Sequence, residues 1–116
     1  MLGALALGAG CEARTRANRA PPEALCPATM KGEGTTEYPL SGLTIVRFET
    51  GKGSMNVTPS GDASHREWLL TPAQDVHYRA ACEYGEEIIG VPIDAAFRRC
   101  WLERRSGSTT TTWCAR

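Results

Sequence analysis

Cysteine carries most of the chemistry this chain could do. Five are present, at Cys11, Cys26, Cys82, Cys100 and Cys114. Each could serve as metal ligand, nucleophile or half of a bridge. A tetrahedral zinc site draws four ligands, usually as two close pairs. No two of these cysteines have C-x-x-C spacing, and His65 and His77 stand twelve positions apart, so no metal site is expected. Nucleophilic catalysis needs a serine or thiolate held beside a base, often on a G-x-S-x-G elbow. No such elbow occurs. Gly51-Lys52-Gly53-Ser54 resembles a phosphate loop only in part. The four-residue stretch after an earlier glycine is missing, so the segment reads as a hairpin turn. Glu86 and Glu87 are adjacent, and adjacent residues on a strand face opposite ways. They read as a solvated turn rather than an acid–base pair. The expectation is therefore no catalytic residue, no cofactor and no enzyme.

What remains for the cysteines is bridging. An odd count is awkward for an exported, oxidised protein, and the N-terminus suggests how it becomes even. Residues 1–10 read M-L-G-A-L-A-L-G-A-G, uncharged and apolar, and end at Cys11. This start resembles the lipobox of bacterial lipoprotein signals, in which the chain is cut before the cysteine and its sulfur carries a lipid. Gly8 stands where leucine is usual, and no Lys or Arg precedes the apolar run. A plain secretory signal cut nearby is the other reading. Lipidation at Cys11 leaves Cys26, Cys82, Cys100 and Cys114 to close two disulfides. Four cysteines allow three connectivities. The pairing Cys82–Cys100 with Cys26–Cys114 is expected, because it links adjacent strands and then ties the two ends. Loop entropy assigns these bridges about 3 and about 4.6 kcal/mol.

The rest of the chain must position these residues. At 116 residues it holds one domain. Thirteen basic residues balance thirteen acidic ones, so no general pull toward nucleic acid or anionic membrane is expected. Membrane contact is expected only through a lipid on Cys11. Residues 12–25 lack large apolar side chains apart from Leu25 and contain Pro21-Pro22. They read as an extended linker, with a helical arm up to Ala20 as the alternative. The domain then runs from residue 26 to residue 116. Its signals are β signals: 43–48, 55–58, 67–70, 76–84, 87–93, 97–103 and 109–114. The clearest is 76–84, where Val76, Tyr78, Ala80, Cys82 and Tyr84 alternate with polar or small residues. Gly85-Glu86 suits a type II′ hairpin turn, and Pro92 confines the return strand to a sheet edge or to its own end. About seven short strands without a helix predict an all-β fold, a small antiparallel sandwich or barrel stapled by two disulfides.

Most aromatic residues are expected in the core of so small a domain, Tyr78 and Tyr84 among them. One exposed Trp or Tyr would anchor a partner. Arg98-Arg99 and Arg104-Arg105 read as solvated edges that discourage strand addition.

Several of these features occur together in a known pattern: Cys26-Pro27-Ala28, Pro39-Leu40 before the strand at Leu43, and Trp68-x-Leu70. Then come Tyr78-x-x-x-Cys82-x-Tyr84-Gly85, Pro92, Cys100 and the near-terminal Cys114. Over residues 26–116 the chain resembles an uncharacterised family of small exported proteobacterial proteins. That resemblance implies an envelope location and two disulfides, and no activity. More loosely, the chain is similar to the periplasmic lysozyme-inhibitor lipoproteins, small β-barrels with a lipobox and a late cysteine. Their S-G-x-x-Y loop is absent; Ser60-Gly61-Asp62 comes nearest. The expected function is a non-enzymatic envelope module, periplasmic or held at the outer membrane. It would bind a protein or glycan partner, with inhibition of a lysozyme or protease as the alternative.

Overall fold

The longest alternation in the sequence becomes the longest strand. In a computed structural model that describes residues 21–32, 34–105 and 109–116, residues Val76–Tyr84 form one strand of nine residues. Ala80, Cys82 and Tyr84 are buried, and His77 and Arg79 are exposed. Such alternation is what a strand with one covered face requires.

In chain order the strands are β1 (Glu23–Ala24), β2 (Thr29–Lys31), β3 (Glu37–Pro39), β4 (Gly42–Glu49), β5 (Gly53–Asn56) and β6 (Ser60–Gly61). β7 (His65–Leu69), β8 (Val76–Tyr84), β9 (Glu87–Ile93), β10 (Arg99–Arg104) and β11 (Thr110–Ala115) follow. The described residues contain no helix. The seven expected strands correspond to β4, β5 and β7 to β11, with ends shifted by a few residues. β1, β2, β3 and β6 were not expected. Each has two or three residues, too short to carry a period of two. β1 lies within the segment read as a linker, where Glu23 and Ala24 pair with Cys114 and Trp113. Residues 1–20, with the lipobox-like start, Cys11 and most of that linker, lie outside the described residues.

Two antiparallel sheets carry the fold. One has the order β1-β11-β10-β7-β6 and the other β5-β4-β8-β9, while β2 and β3 form a separate ribbon. Neither order closes on itself, so the architecture is an open sandwich. Its core is one cluster drawn from both sheets. Leu43, Ile45, Ala80, Cys82 and Tyr84 of the four-stranded sheet share it with Trp68, Cys100, Leu102 and Cys114 of the five-stranded sheet. Among the described residues, no buried side-chain nitrogen or oxygen lacks a hydrogen-bond partner. The buried Tyr84 hydroxyl donates to the Pro27 carbonyl at 2.8 Å. The buried Thr112 hydroxyl accepts from the Cys26 amide at 2.9 Å. Burial pushes the Tyr84 phenol pKa up.

Turn chemistry sets the registers. Tyr84 opposes Glu87 across the two residues Gly85 and Glu86. φ is positive at Gly85 (69°) and not at Glu86, the signature of the expected type II′ turn. At Gly61, φ is 99° and a Cβ would fall 2.1 Å from the His65 carbonyl oxygen. Only glycine fits where β6 folds back on β7. Gly51-Lys52 does form a turn, between β4 and β5, and Lys52 and Arg47 both pair with Glu49 there.

The disulfide pairing differs from the expected one. The bridges are Cys26–Cys82 and Cys100–Cys114. β8 and β10 belong to different sheets, so Cys82 and Cys100 are not on adjacent strands. Cys100 instead lies directly opposite Cys114 on β11, with Cα atoms 4.0 Å apart. Cys26 follows β1, at the edge of the five-stranded sheet, and reaches across the sandwich to Cys82. One bridge therefore lies within a sheet and the other joins the two layers. Disulfides of this kind persist in oxidising, extracytoplasmic compartments.

Candidate functional site

Cysteine parity places the tryptophans. Cys100 and Cys114 are fully buried, so their neighbours along β10 and β11 must face outward. Those neighbours include Trp101 and Trp113, which oppose each other directly across the two strands. Both are half-buried. Of the aromatics, Trp68, Tyr84 and Phe97 are core, whereas Tyr78, also expected there, is half-buried like this pair. The sequence did contain the signal: each tryptophan adjoins a bridged cysteine, which fixes its side of the sheet.

The outer face of the five-stranded sheet is built in rows around that pair. In the central row, Trp101 opposes Trp113 on one side and Glu67 on the other, and Ser60 opposes Glu67. The next row holds Leu69, Arg99 and Ala115, and Leu69 is 69% exposed. The row beyond the pair holds His65, Glu103 and Thr111. The Arg99 guanidinium sits 4.9 Å from the centre of the Trp101 ring. It also reaches Glu67 at 3.9 Å. His65 lies 3.9 Å from Glu103. Arginine on a tryptophan face is a cation–π contact that also holds the ring in place. An apolar centre of Trp, Trp and Leu is thus ringed by paired charges.

The other expected residues do not converge. His65 is on β7 and His77 on β8, in different sheets. His77 is exposed and stacks on Phe48, with ring centres 5.0 Å apart. Among the described residues no three His, Cys, Asp or Glu side chains are grouped to hold a metal. Arg98 hydrogen-bonds the carbonyls of Ala95 and Phe97. Arg104 donates to the Ser41 carbonyl. Glu86 stays in the hairpin turn, next to the first residue of β9.

A second feature lies beside the start of β4, and no sequence motif marks it. A cleft of about 330 Å³ borders the first residues of β4. Ser41, Thr44, Glu83, Arg66 and Arg104 are among the residues that line it, with Thr44 and Glu83 on the outer face of the four-stranded sheet, since their neighbours Leu43 and Cys82 are buried. Glu83 accepts a hydrogen bond from the Thr44 hydroxyl at 2.8 Å.

No family model, curated protein or solved structure matches the chain.

Proposed function

We propose that this protein is a non-enzymatic module of the cell envelope that binds a protein partner on the outer face of its five-stranded sheet. The observation that carries the reading is the Trp101–Trp113 pair, with Arg99 against one ring and exposed Leu69 in the adjoining row. Tryptophan and arginine are the residues most enriched among those that dominate interface energy. They sit here in an apolar centre with a polar rim, the usual anatomy of a protein interface. The paired charges of Glu67, Glu103, Arg99 and His65 would exclude water around that centre. An exported location agrees with the two disulfides, and Cys11 is the proposed lipid attachment point.

Protein purified from its native envelope tests both statements. A stoichiometric partner should co-purify with the parent chain and be lost with W101A/W113A. Removing one such anchor costs at least about 2 kcal/mol, ~30-fold in affinity. Recovery of the same partner by the double variant would refute the assigned face. So would retention on cell-wall glycan that survives both substitutions. The non-reduced mass should show a lipid adduct on Cys11 and four protons missing from the other cysteines. An unmodified Cys11 thiol would remove the anchor.

A further inference from the structure

We infer that the cleft beside the first residues of β4 is a binding site for a ligand bearing one carboxylate, separate from the Trp101–Trp113 face. Arg66 and Arg104 both belong to the inner side of the five-stranded sheet. Arg66 opposes Leu102 in the register, and Arg104 lies two residues further along the same strand. Leu102 is buried and lines the cleft together with Leu43. Both arginines are exposed and line the cleft beside it.

Arg104 is held, since it donates to the Ser41 carbonyl. Arg66 is exposed, and its guanidinium makes no hydrogen bond or ion pair among the described residues. A guanidinium has five donors arranged as a fork that suits a carboxylate, which binds it through two parallel hydrogen bonds. The site thus offers one fixed arginine and one free to engage.

Charge narrows the ligand further. Two arginines against Glu83 leave the cleft one positive charge in excess. Glu83 lies over Gly42, where a Cβ would come within 2.9 Å of its carboxylate oxygen. A single carboxylate complements that charge, whereas a phosphate dianion exceeds it.

Size and shape agree. About 330 Å³ lies at the small end of ligand sites. A second hollow of about 230 Å³ shares Leu43, Thr44 and Arg66 with the first, and continues along Val57, Pro59 and Trp68. A carboxylate beside Arg66 would leave an uncharged tail to lie against this less polar stretch. A peptide C-terminus and a small organic acid share this chemistry.

Heteronuclear NMR titration of the oxidised protein separates the two sources. The probes are N-acetyl-alanyl-alanine as free acid, the same dipeptide amidated, sodium acetate and sodium phosphate. The free acid should shift the amides of Leu43, Thr44 and Arg66. The amide should bind at least about tenfold more weakly, because a hydrogen-bonded charge is lost. Acetate as tight as the dipeptide acid would assign the site to small acids, and weaker acetate to peptide ends. R66Q should lower affinity about tenfold or more, and R66K should recover part of it. The exposed side chain makes unfolding of either variant an unreasonable explanation. Equal binding of acid and amide, tighter binding of phosphate, or no shift with any carboxylate up to tens of millimolar would overturn the assignment. None of these results depends on the tryptophan face, so either proposal can fail alone.

Discussion

Individual side chains settle matters here that spacing leaves open. The loop-entropy model gives Cys26–Cys82, which spans 56 residues, about 4 kcal/mol. It gives Cys100–Cys114, which spans 14, about 3 kcal/mol. Those two values together fall within about 1 kcal/mol of the total for the expected pairing. Chain entropy is nearly blind to connectivity, and the choice is made by which strands become neighbours. Asp62 shows a side chain holding a turn. Its carboxylate accepts from the Ser64 hydroxyl at 2.7 Å, the Ser64 amide at 2.8 Å and the His65 amide at 3.0 Å. Those bonds, the Ser64 hydroxyl first, hold its pKa below the usual aspartate range. A carboxyl with a lowered folded pKa binds its proton less tightly folded than unfolded. Its contribution is therefore present above the unfolded value, about 3.9, and is lost as pH falls through the folded value. NMR titration of the Asp62 carboxyl carbon should give a midpoint below that of a free aspartate. The midpoint should rise part of the way toward the ordinary value in S64A, because the hydroxyl bond is lost and the two amide bonds remain. A midpoint unaffected by S64A would shift the cause to the two backbone amides.

Strands and their edges are where the sequence was most legible. The alternation of Val76–Tyr84, the turn at Gly85 and the position of Pro92 each rest on a local rule, and each appears where that rule puts it. β9 is the outermost strand of its sheet. The two-residue turn makes Tyr84 and Glu87 a hydrogen-bonded pair. Alternation along the ladder then places Ile88, Gly90 and Pro92 in the pairs whose N–H groups face the free edge. Proline has no N–H, so Pro92 removes a donor without weakening the pairing to β8. Ile88 is 64% exposed on this strand, which makes the missing donor a protection against edge-to-edge association. P92V should restore the donor and raise the β propensity. The expected result is a concentration-dependent dimer in sedimentation velocity where the parent shows less association. A variant that sediments like the parent at every concentration would mean that Pro92 does not guard the edge. The four shortest strands escaped because two or three residues cannot show a period. Which Trp or Tyr would be exposed was left open, because size alone does not say; strand parity beside a bridged cysteine decides it for Trp101 and Trp113.

At the scale of the whole molecule, the two bridges do different things. Sheet assembly was not legible, because β8 and β10 join different layers through long-range packing that local pattern does not encode. Cys100–Cys114 crosslinks two strands already paired over six residues. Cys26–Cys82 instead fastens the segment after β1 to the opposite sheet, beside the Tyr84–Pro27 hydrogen bond. A domain of this size is stable by only about 5–15 kcal/mol, so either bridge is a large share. C26A/C82A should lose about 4 kcal/mol and C100A/C114A about 3 kcal/mol, read from denaturant unfolding of otherwise oxidised protein. Total stability alone separates these poorly, since each pair also leaves a small buried void. Hydrogen exchange separates them well. Without Cys26–Cys82, amides of β2 and β3 and the Leu40 amide, which donates to the Ala28 carbonyl, should exchange faster, while β10 keeps its protection. Without Cys100–Cys114, the losses should concentrate on β10 and β11. If both variants lose protection uniformly, the sandwich opens as one unit, and the cross-layer bridge has no local role beyond chain entropy.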